Sequence, residues 1–134
     1  RHTPAAHTDG DTIVKLVKAN VIHMGDVYFN GLFPFIDTSS GGGVMGVIAA
    51  VDATLAMADD ATIIVPAHGE MAKKADLQAY RDMLVDITAK VRKGIRAHKT
   101  LAEIQAGKPT AAYPLEGEAD RLVESIYEGL TKKG

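Results

Sequence analysis

Apolar and polar positions divide the chain into a strand-rich first part, residues 1–70, and a mainly helical second part, residues 71–134. β-branched residues dominate segments 12–17 and 21–24, a composition that is typical of strands. Segment 62–65 repeats this composition just before the division. Polar residues between the first two segments predict a turn, so the first part favours a β-sheet.

Four further segments predict helices, three of them because apolar residues recur at helical spacing. In segment 44–58 they share one side and most remaining positions are alanine, so we expect this helix to pack closely against the sheet. Segment 73–97 carries an apolar stripe opposite charged residues. Thr100 and Glu103 form the capping-box pattern that opens a short helix. Segment 118–130 predicts the last helix.

The composition limits the class of protein. The chain has 134 residues, 46% hydrophobic and 24% charged, which predicts one globular domain or half-domain. A formal net charge of −2 gives no basic surface for nucleic acid. No apolar run is long enough to span a membrane. We therefore expect a soluble protein of the cytoplasm or periplasm that binds neither nucleic acid nor a membrane. Without cysteine, thiolate metal sites are excluded, but the compartment is not identified.

Three good metal ligands lie in loop-like stretches beside the predicted strands. The stretches are His7-Thr8-Asp9-Gly10-Asp11, Gly25-Asp26 and Pro66-Ala67-His68-Gly69. Zinc favours histidine nitrogen and carboxylate oxygen, and side chains at rigid strand ends can be aimed at one point. The residues alone leave Asp26 open as an ordinary turn residue, because Asp favours turns.

These stretches, in this order and spacing, resemble the C-terminal half of the metallo-β-lactamase-fold zinc-dependent hydrolases. That family has a His before a Gly-Asp turn, an Asp after a strand and a His in a Gly-rich turn, which correspond to His7, Asp26 and His68. The resemblance covers nearly the whole chain. It implies an α/β fold with one mixed β-sheet of about five strands and helices on one face, half of the four-layer αββα metallo-β-lactamase sandwich.

The resemblance also implies a metal-dependent hydrolase, in which zinc-activated hydroxide attacks a lactam, ester, thioester or phosphoester of small-molecule size. His7 would bind one metal, His68 the other, and Asp26, the catalytic carboxylate, both. The family's His-x-His-x-Asp-His motif is absent from this sequence. We therefore expect one or two zinc ions in the complete enzyme and at most one on this chain alone, without activity. Whether the chain is an enzyme stays open.

Five further residues are candidates for supporting roles. Asp9 and Asp11 either cap the turn or orient a metal ligand through a hydrogen bond. Tyr28, Asn30 and Phe33 line a substrate pocket in one interpretation. In the other, the Asn-Gly dipeptide at residue 30 is the tight turn of a hairpin between segments 27–29 and 32–33. The two interpretations are compatible.

A half-sandwich leaves one face of its sheet without helices. Consecutive apolar residues in segments 21–22 and 63–65 are typical of strands covered on both faces. We therefore expect the chain to pair with the missing N-terminal half or with a second copy, as a homodimer or higher oligomer that buries more than about 1,200 Å². His23, between apolar neighbours, is expected to be a core histidine. The alternative function is a non-catalytic, self-associating module that binds at most one metal.

Overall fold

The structure is a computed structural model of the chain, and it describes residues 2–3, 11–34, 36, 43–113, 115 and 117–131. Five strands and four helices lie in these ranges. In chain order they are β1 (His2–Thr3), β2 (Asp11–Thr12), β3 (Val14–Leu16), β4 (Val21–Phe29), α1 (Val44–Met57), β5 (Ile63–His68), α2 (Lys74–Arg96), α3 (Leu101–Ala106) and α4 (Ala119–Thr131).

The strands form a mixed sheet with β4 between two neighbours. β4 runs antiparallel to β3 and parallel to β5. β1 and β2 form an antiparallel pair, and β2 lies against β4 because only Ile13 separates it from β3. The predicted α/β architecture with a mixed sheet is confirmed. The continuous strand expected at 12–17 is wrong in detail, since the buried Ile13 interrupts the ladder.

Helix α1 makes the parallel pairing of β4 and β5 possible. A parallel pair needs a crossover connection, which is usually a helix. α1 packs against both β4 and α2. Its buried side includes Val44, Val47, Val51 and Leu55. Alanine at many of its other positions allows the close approach to the sheet that the sequence predicted.

Helix α2 supplies the longest apolar stripe of the core. Leu77, Leu84 and Ile87 are all 0% exposed. The predicted capping box opens α3, where the Thr100 hydroxyl accepts from the Glu103 N–H and the Glu103 carboxylate accepts from the Thr100 N–H. All four helices begin and end within about two residues of the sequence prediction. Among the described residues, no helix has the length and apolar character needed to cross a membrane.

The two faces of the sheet differ in what covers them. Ile22 and Ile64 are register partners, both 0% exposed, and they face the helices. Residues on either side of them point the opposite way, and we call that surface the outer face. Its two rows are Val14, His23 and Val65, and Leu16, Val21 and Ile63. Val14 is 46% and Leu16 is 54% exposed, so the described helices cover one face only, as predicted.

Two predictions about β4 and its surroundings are wrong. His23 is exposed on the outer face and not part of the core, because strand alternation turns it away from the buried Ile22 and Met24. The expected hairpin is not formed either. β4 ends at Phe29, and only Leu32 of segment 32–33 makes a bridge.

The strands that carry the candidate ligands are longer than predicted. β4 continues beyond residue 24 through Asp26, and β5 continues beyond residue 65 to His68. Asp26 and His68 therefore belong to strands and not to loops. The reason is that β4 and β5 stay paired as far as Phe29 and His68, despite irregular register in between.

Candidate functional site

The C-terminal ends of β4 and β5 are joined at one edge of the sheet. Phe29 and His68 are register partners. Just beyond them, the Asn30 N–H donates to the His68 carbonyl at 2.9 Å, and the Asn30 side-chain amide donates to the Glu70 carbonyl at 2.8 Å. Because these bonds use both backbone and side chain of Asn30, they hold the turn after β4 against the turn after β5.

Gly69 makes this junction sterically possible. Its φ is +97°, a conformation that L side chains rarely adopt. A Cβ at this position would lie 2.1 Å from the Asn30 carbonyl oxygen. The glycine that follows the histidine is therefore required by the close approach of two backbones, which explains the Ala-His-Gly order seen in the sequence.

A second glycine shapes β4 immediately before Asp26. Gly25 has φ of 57°, and the register between β4 and β5 shifts on both sides of it. The Gly25 N–H donates to His23 Nδ1 at 3.1 Å, which stabilises the irregularity. Such bulges re-aim the side chains that follow them. Asp26 is the first residue after this one, and its own side chain lies outside the described part of the structure.

His68 is exposed at the end of β5, and one face of its ring is in contact with another aromatic ring. The imidazole stacks on the Phe29 ring, with centroids 4.9 Å apart and planes inclined by 22°. Its nitrogens have no hydrogen-bond partner among the described residues. A histidine with an oriented ring and unoccupied nitrogens is chemically suited to binding a metal.

The structure describes only part of the predicted ligand set. His7 and Asp9 lie outside the described residues. Asp11 and Asp26 belong to β2 and β4, but their side chains are not described. Within the described ranges, no group of three or more His, Asp or Glu side chains could hold a metal ion. The convergence of His7, Asp26 and His68 stays a prediction.

The three residues of the predicted substrate pocket are divided between two pockets. Tyr28 and Asn30 line a pocket of about 310 Å³ between the end of β4 and helix α2. Phe33 lines a separate one of about 200 Å³ with Glu118 and Arg121. Tyr28 and Asn30 therefore lie together, and Phe33 belongs to the surface near the start of α4.

Sequence reasoning missed the residues that surround Tyr28. Tyr80 and Asp76 of α2, and Tyr113 after α3, line the same pocket. The helical spacing of segment 73–97 predicts Tyr80 only as a member of its apolar stripe. The Tyr80 ring lies 4.8 Å from the Tyr28 ring, and its hydroxyl donates to the Val27 carbonyl. No sequence pattern signals this contact, because it joins residues from separate elements.

Solved structures of known proteins share this architecture. A double mutant of a sec-alkyl sulfatase matches 98% of this chain over 23% of its own length, with a TM-score of 0.73 and 19% identity. The stereoselective inverting sec-alkylsulfatase from Pseudomonas sp. matches 96% of this chain over 23% of its own, with a TM-score of 0.69 and 18% identity. A metallo-beta-lactamase from Pontibacter korlensis matches 64% of this chain over 40% of its own, with a TM-score of 0.54 and 15% identity.

These likenesses show the fold, which is half of a metallo-β-lactamase fold. No family model and no curated protein matches the sequence. The chain spans only 23% of the sulfatase structures and 40% of the β-lactamase. At identities of 15–19%, these comparisons show the fold alone.

Proposed function

We propose that this chain supplies one half of the metal site of a zinc-dependent hydrolase with the metallo-β-lactamase fold. The observation that carries the proposal is the junction at the sheet edge, where His68 ends β5 beside the end of β4, the strand that contains Asp26. His7, Asp26 and His68 are the proposed ligands. The remaining ligands would come from a polypeptide segment that carries the His-x-His-x-Asp-His motif.

The donor set fits zinc. Two imidazoles and one carboxylate make the three protein ligands of a typical catalytic zinc site, whose fourth position takes water. When bound there, zinc supplies a hydroxide nucleophile at neutral pH and polarises the bond under attack. The proposed substrates are lactams, esters, thioesters and phosphoesters, to which the likeness to sec-alkyl sulfatases adds alkyl sulfates.

This chain contributes to the site by orienting the side chains of the proposed metal ligands. The stacked Phe29 ring restricts rotation of the His68 imidazole, so the ring presents its nitrogens in a narrow range of directions. The bulge at Gly25 sets the direction of the next side chain, that of Asp26. Because the stacked ring and the bulge are present before any metal binds, less conformational entropy is lost when it binds.

Zinc titration of the purified chain tests the site. We expect at most one zinc per chain, bound weakly. The His68→Asn variant should lose at least tenfold in zinc affinity, because a side chain that binds zinc directly is removed. His98→Asn is the matched control, because His98 is exposed and Asn tolerates its φ of 59°. Equal zinc affinity for wild type and His68→Asn would contradict the proposal.

The outer face is the proposed surface for the rest of the sandwich. Val14 and Leu16 of this face are 46% and 54% exposed, and soluble monomers rarely leave such adjacent apolar side chains uncovered. We propose that an N-terminal half or a second copy of the chain covers them. In sedimentation, Leu16→Lys should dissociate the assembly, whereas Val85→Lys, at an exposed position of helix α2, should not. A wild-type chain that sediments as a monomer without any partner contradicts this.

A non-catalytic, self-associating module is the second candidate. The exposed apolar residues of the outer face favour it, because they argue for association whether or not metal binds. The two candidates separate in one pair of measurements. A stable dimer that binds no zinc favours the module, and zinc binding that depends on His68 favours the hydrolase half.

A further inference from the structure

A pocket lined by aromatic rings lies between the end of β4 and helix α2. Its volume is about 310 Å³, within the range of small-molecule sites. The rings belong to Tyr28, Phe29, Tyr80 and Tyr113. Such a lining offers both apolar contact and the negative faces of π-systems.

The tyrosine hydroxyls of this pocket are not equivalent. Tyr80 donates to the Val27 carbonyl at 3.1 Å, and Tyr113 donates to the Asp86 carboxylate at 2.7 Å. Tyr28 is only 1% exposed, and its hydroxyl has no hydrogen-bond partner in the described part of the chain. A buried hydroxyl without a partner is unusual in folded proteins and calls for a ligand or a water molecule.

The described charge that lines the pocket is negative. Asp76 is the only charged side chain among the described residues that line it, and it is exposed. Asp82 and Asp86 also act on Tyr113, but each lies beside a basic side chain that offsets its charge. The Asp76 carboxylate is therefore the charge that favours cations over anions in this pocket.

The protein already places one ammonium group over a ring of this cluster. Lys90 Nζ lies 6.0 Å from the centroid of the Tyr113 ring and 3.0 Å from Asp86. An aromatic face and a carboxylate together make a favourable environment for a cation. Tyr28 and Asp76 offer the same two components inside the pocket.

We propose that this pocket binds a small organic ammonium ion, whose hydrophobic body packs on the tyrosine rings and whose nitrogen lies between the Tyr28 hydroxyl and the Asp76 carboxylate. The N–H groups of the ligand donate to the Tyr28 oxygen and to Asp76. The carboxylate remains compatible with its role in the helix, because only Asp76 Oδ2 accepts the Lys73 N–H of the capping box. The ligand gives a hydrogen-bond partner to the buried Tyr28 hydroxyl, which has none among the described residues.

This site goes beyond the proposed hydrolase function and does not depend on metal. The pocket lies next to the candidate metal ligand, because Phe29 both lines it and stacks on His68. Amine binding is therefore measured on metal-free protein, where failure of the zinc proposal cannot hide or mimic the result.

Three probes of matched size test the charge preference by calorimetric titration of the metal-free chain at neutral pH. They are 2-phenylethylammonium, the neutral 2-phenylethanol and the anionic 3-phenylpropanoate. The ammonium probe should bind about tenfold more tightly than the alcohol, as expected for a hydrogen bond between two charged groups at Asp76. The anion should bind least. If the anion binds as well as the ammonium ion, or if no probe binds, the proposal is wrong.

Two variants test the assignment of residues. Asp76→Asn keeps a capping acceptor and should remove most of the preference for the ammonium probe over the alcohol. Tyr28→Phe keeps the ring and should weaken binding of the ammonium probe by about fivefold, through loss of one hydrogen bond. Glu124→Gln, an exposed acid on α4, is the control and should leave binding unchanged. Unchanged affinity in both pocket variants, with melting temperatures like wild type, would overturn the assignment.

Discussion

The imidazole of His68 and the ring of Phe29 stack with centroids 4.9 Å apart, and the same two residues are register partners of the parallel pair β4–β5. The sheet pairing therefore brings the rings together, and the ring contact in turn orients the candidate metal ligand. Just beyond them, Asn30 bonds to the turn after His68. The candidate site is thus built into the sheet and not carried on a free loop.

Replacing Phe29 with Leu should separate orientation from folding. Leu keeps an apolar side chain at this buried position, so we expect a loss of about 1 kcal/mol in the free energy of unfolding. The flat support of the imidazole is lost, and zinc affinity should fall about threefold to tenfold. Zinc titration and thermal unfolding of the same samples measure the two effects. Zinc affinity equal to that of wild type would show that the stacking does not position His68.

Gly69→Ala should destabilise the junction of β4 and β5. The new Cβ would lie 2.1 Å from the Asn30 carbonyl oxygen at a φ of +97°, so the backbones must separate. We expect a loss of about 2–4 kcal/mol in unfolding free energy. Gly31→Ala is the control, since its φ is +83° but nothing lies within 4 Å of the new atom, and it should lose only about 1–2 kcal/mol. Equal losses in urea unfolding would contradict the steric explanation.

Two glycines inside helices should respond to alanine with opposite signs. Gly129 of α4 has open space around a new Cβ, so Gly129→Ala should raise the free energy of unfolding by about 0.5–1 kcal/mol. At Gly94 of α2, the new Cβ would meet Ile104 Cγ1 at 2.7 Å, which forces α2 and α3 apart. Gly94→Ala should therefore lower stability despite its better helix propensity. Thermal unfolding of the two variants measures both effects. A higher melting temperature for Gly94→Ala would contradict the close contact between Gly94 and Ile104.

Tyr28→Phe and Tyr80→Phe remove hydroxyls from neighbouring rings and should differ in effect. Tyr80 loses a bond to the Val27 carbonyl, which should cost about 1 kcal/mol of unfolding free energy. The Tyr28 hydroxyl has no partner among the described residues, so its removal should leave stability unchanged or raise it by up to about 1 kcal/mol. Chemical denaturation without added ligand measures both. Equal destabilisation would mean that Tyr28 has a partner in the folded chain.

Tyr113→Phe should change how stability depends on acid. The Tyr113 hydroxyl, and then Lys90, lower the pKa of Asp86 below its ordinary 3.8. Because the pKa of Asp86 is lower in the folded chain than in the unfolded chain, its carboxylate stabilises the fold at pH values above the unfolded pKa. This stabilisation disappears as the pH falls through the folded pKa. The variant should therefore be less stable than wild type near neutral pH, and the two should converge in acid, once the pH has fallen below the lowered pKa of Asp86. Tyr127→Phe, on α4, is the control, and a gap that persists in acid would contradict the linkage.

The helices could be predicted from the sequence because their signals are local. Leu77 and Leu84 lie on one stripe of α2 at helical spacing. Thr100 and Glu103 form the capping box of α3 within one helical turn. These patterns depend on neighbours three or four positions away. Strand ends were harder to predict, because β5 ends at His68 only through its pairing with Phe29 of another strand.

The sequence by itself determined the secondary structure of the helical part, the mixed α/β class and the candidate ligands His7, Asp26 and His68, since periodicity and residue chemistry are written along the chain. Only the tertiary structure decided that Asp26 and His68 belong to paired strands, that His23 faces outward and that Tyr28 shares a pocket with helix α2. The physical reason is distance along the chain. Asn30 and Glu70, separated by 40 positions, meet only when the sheet forms.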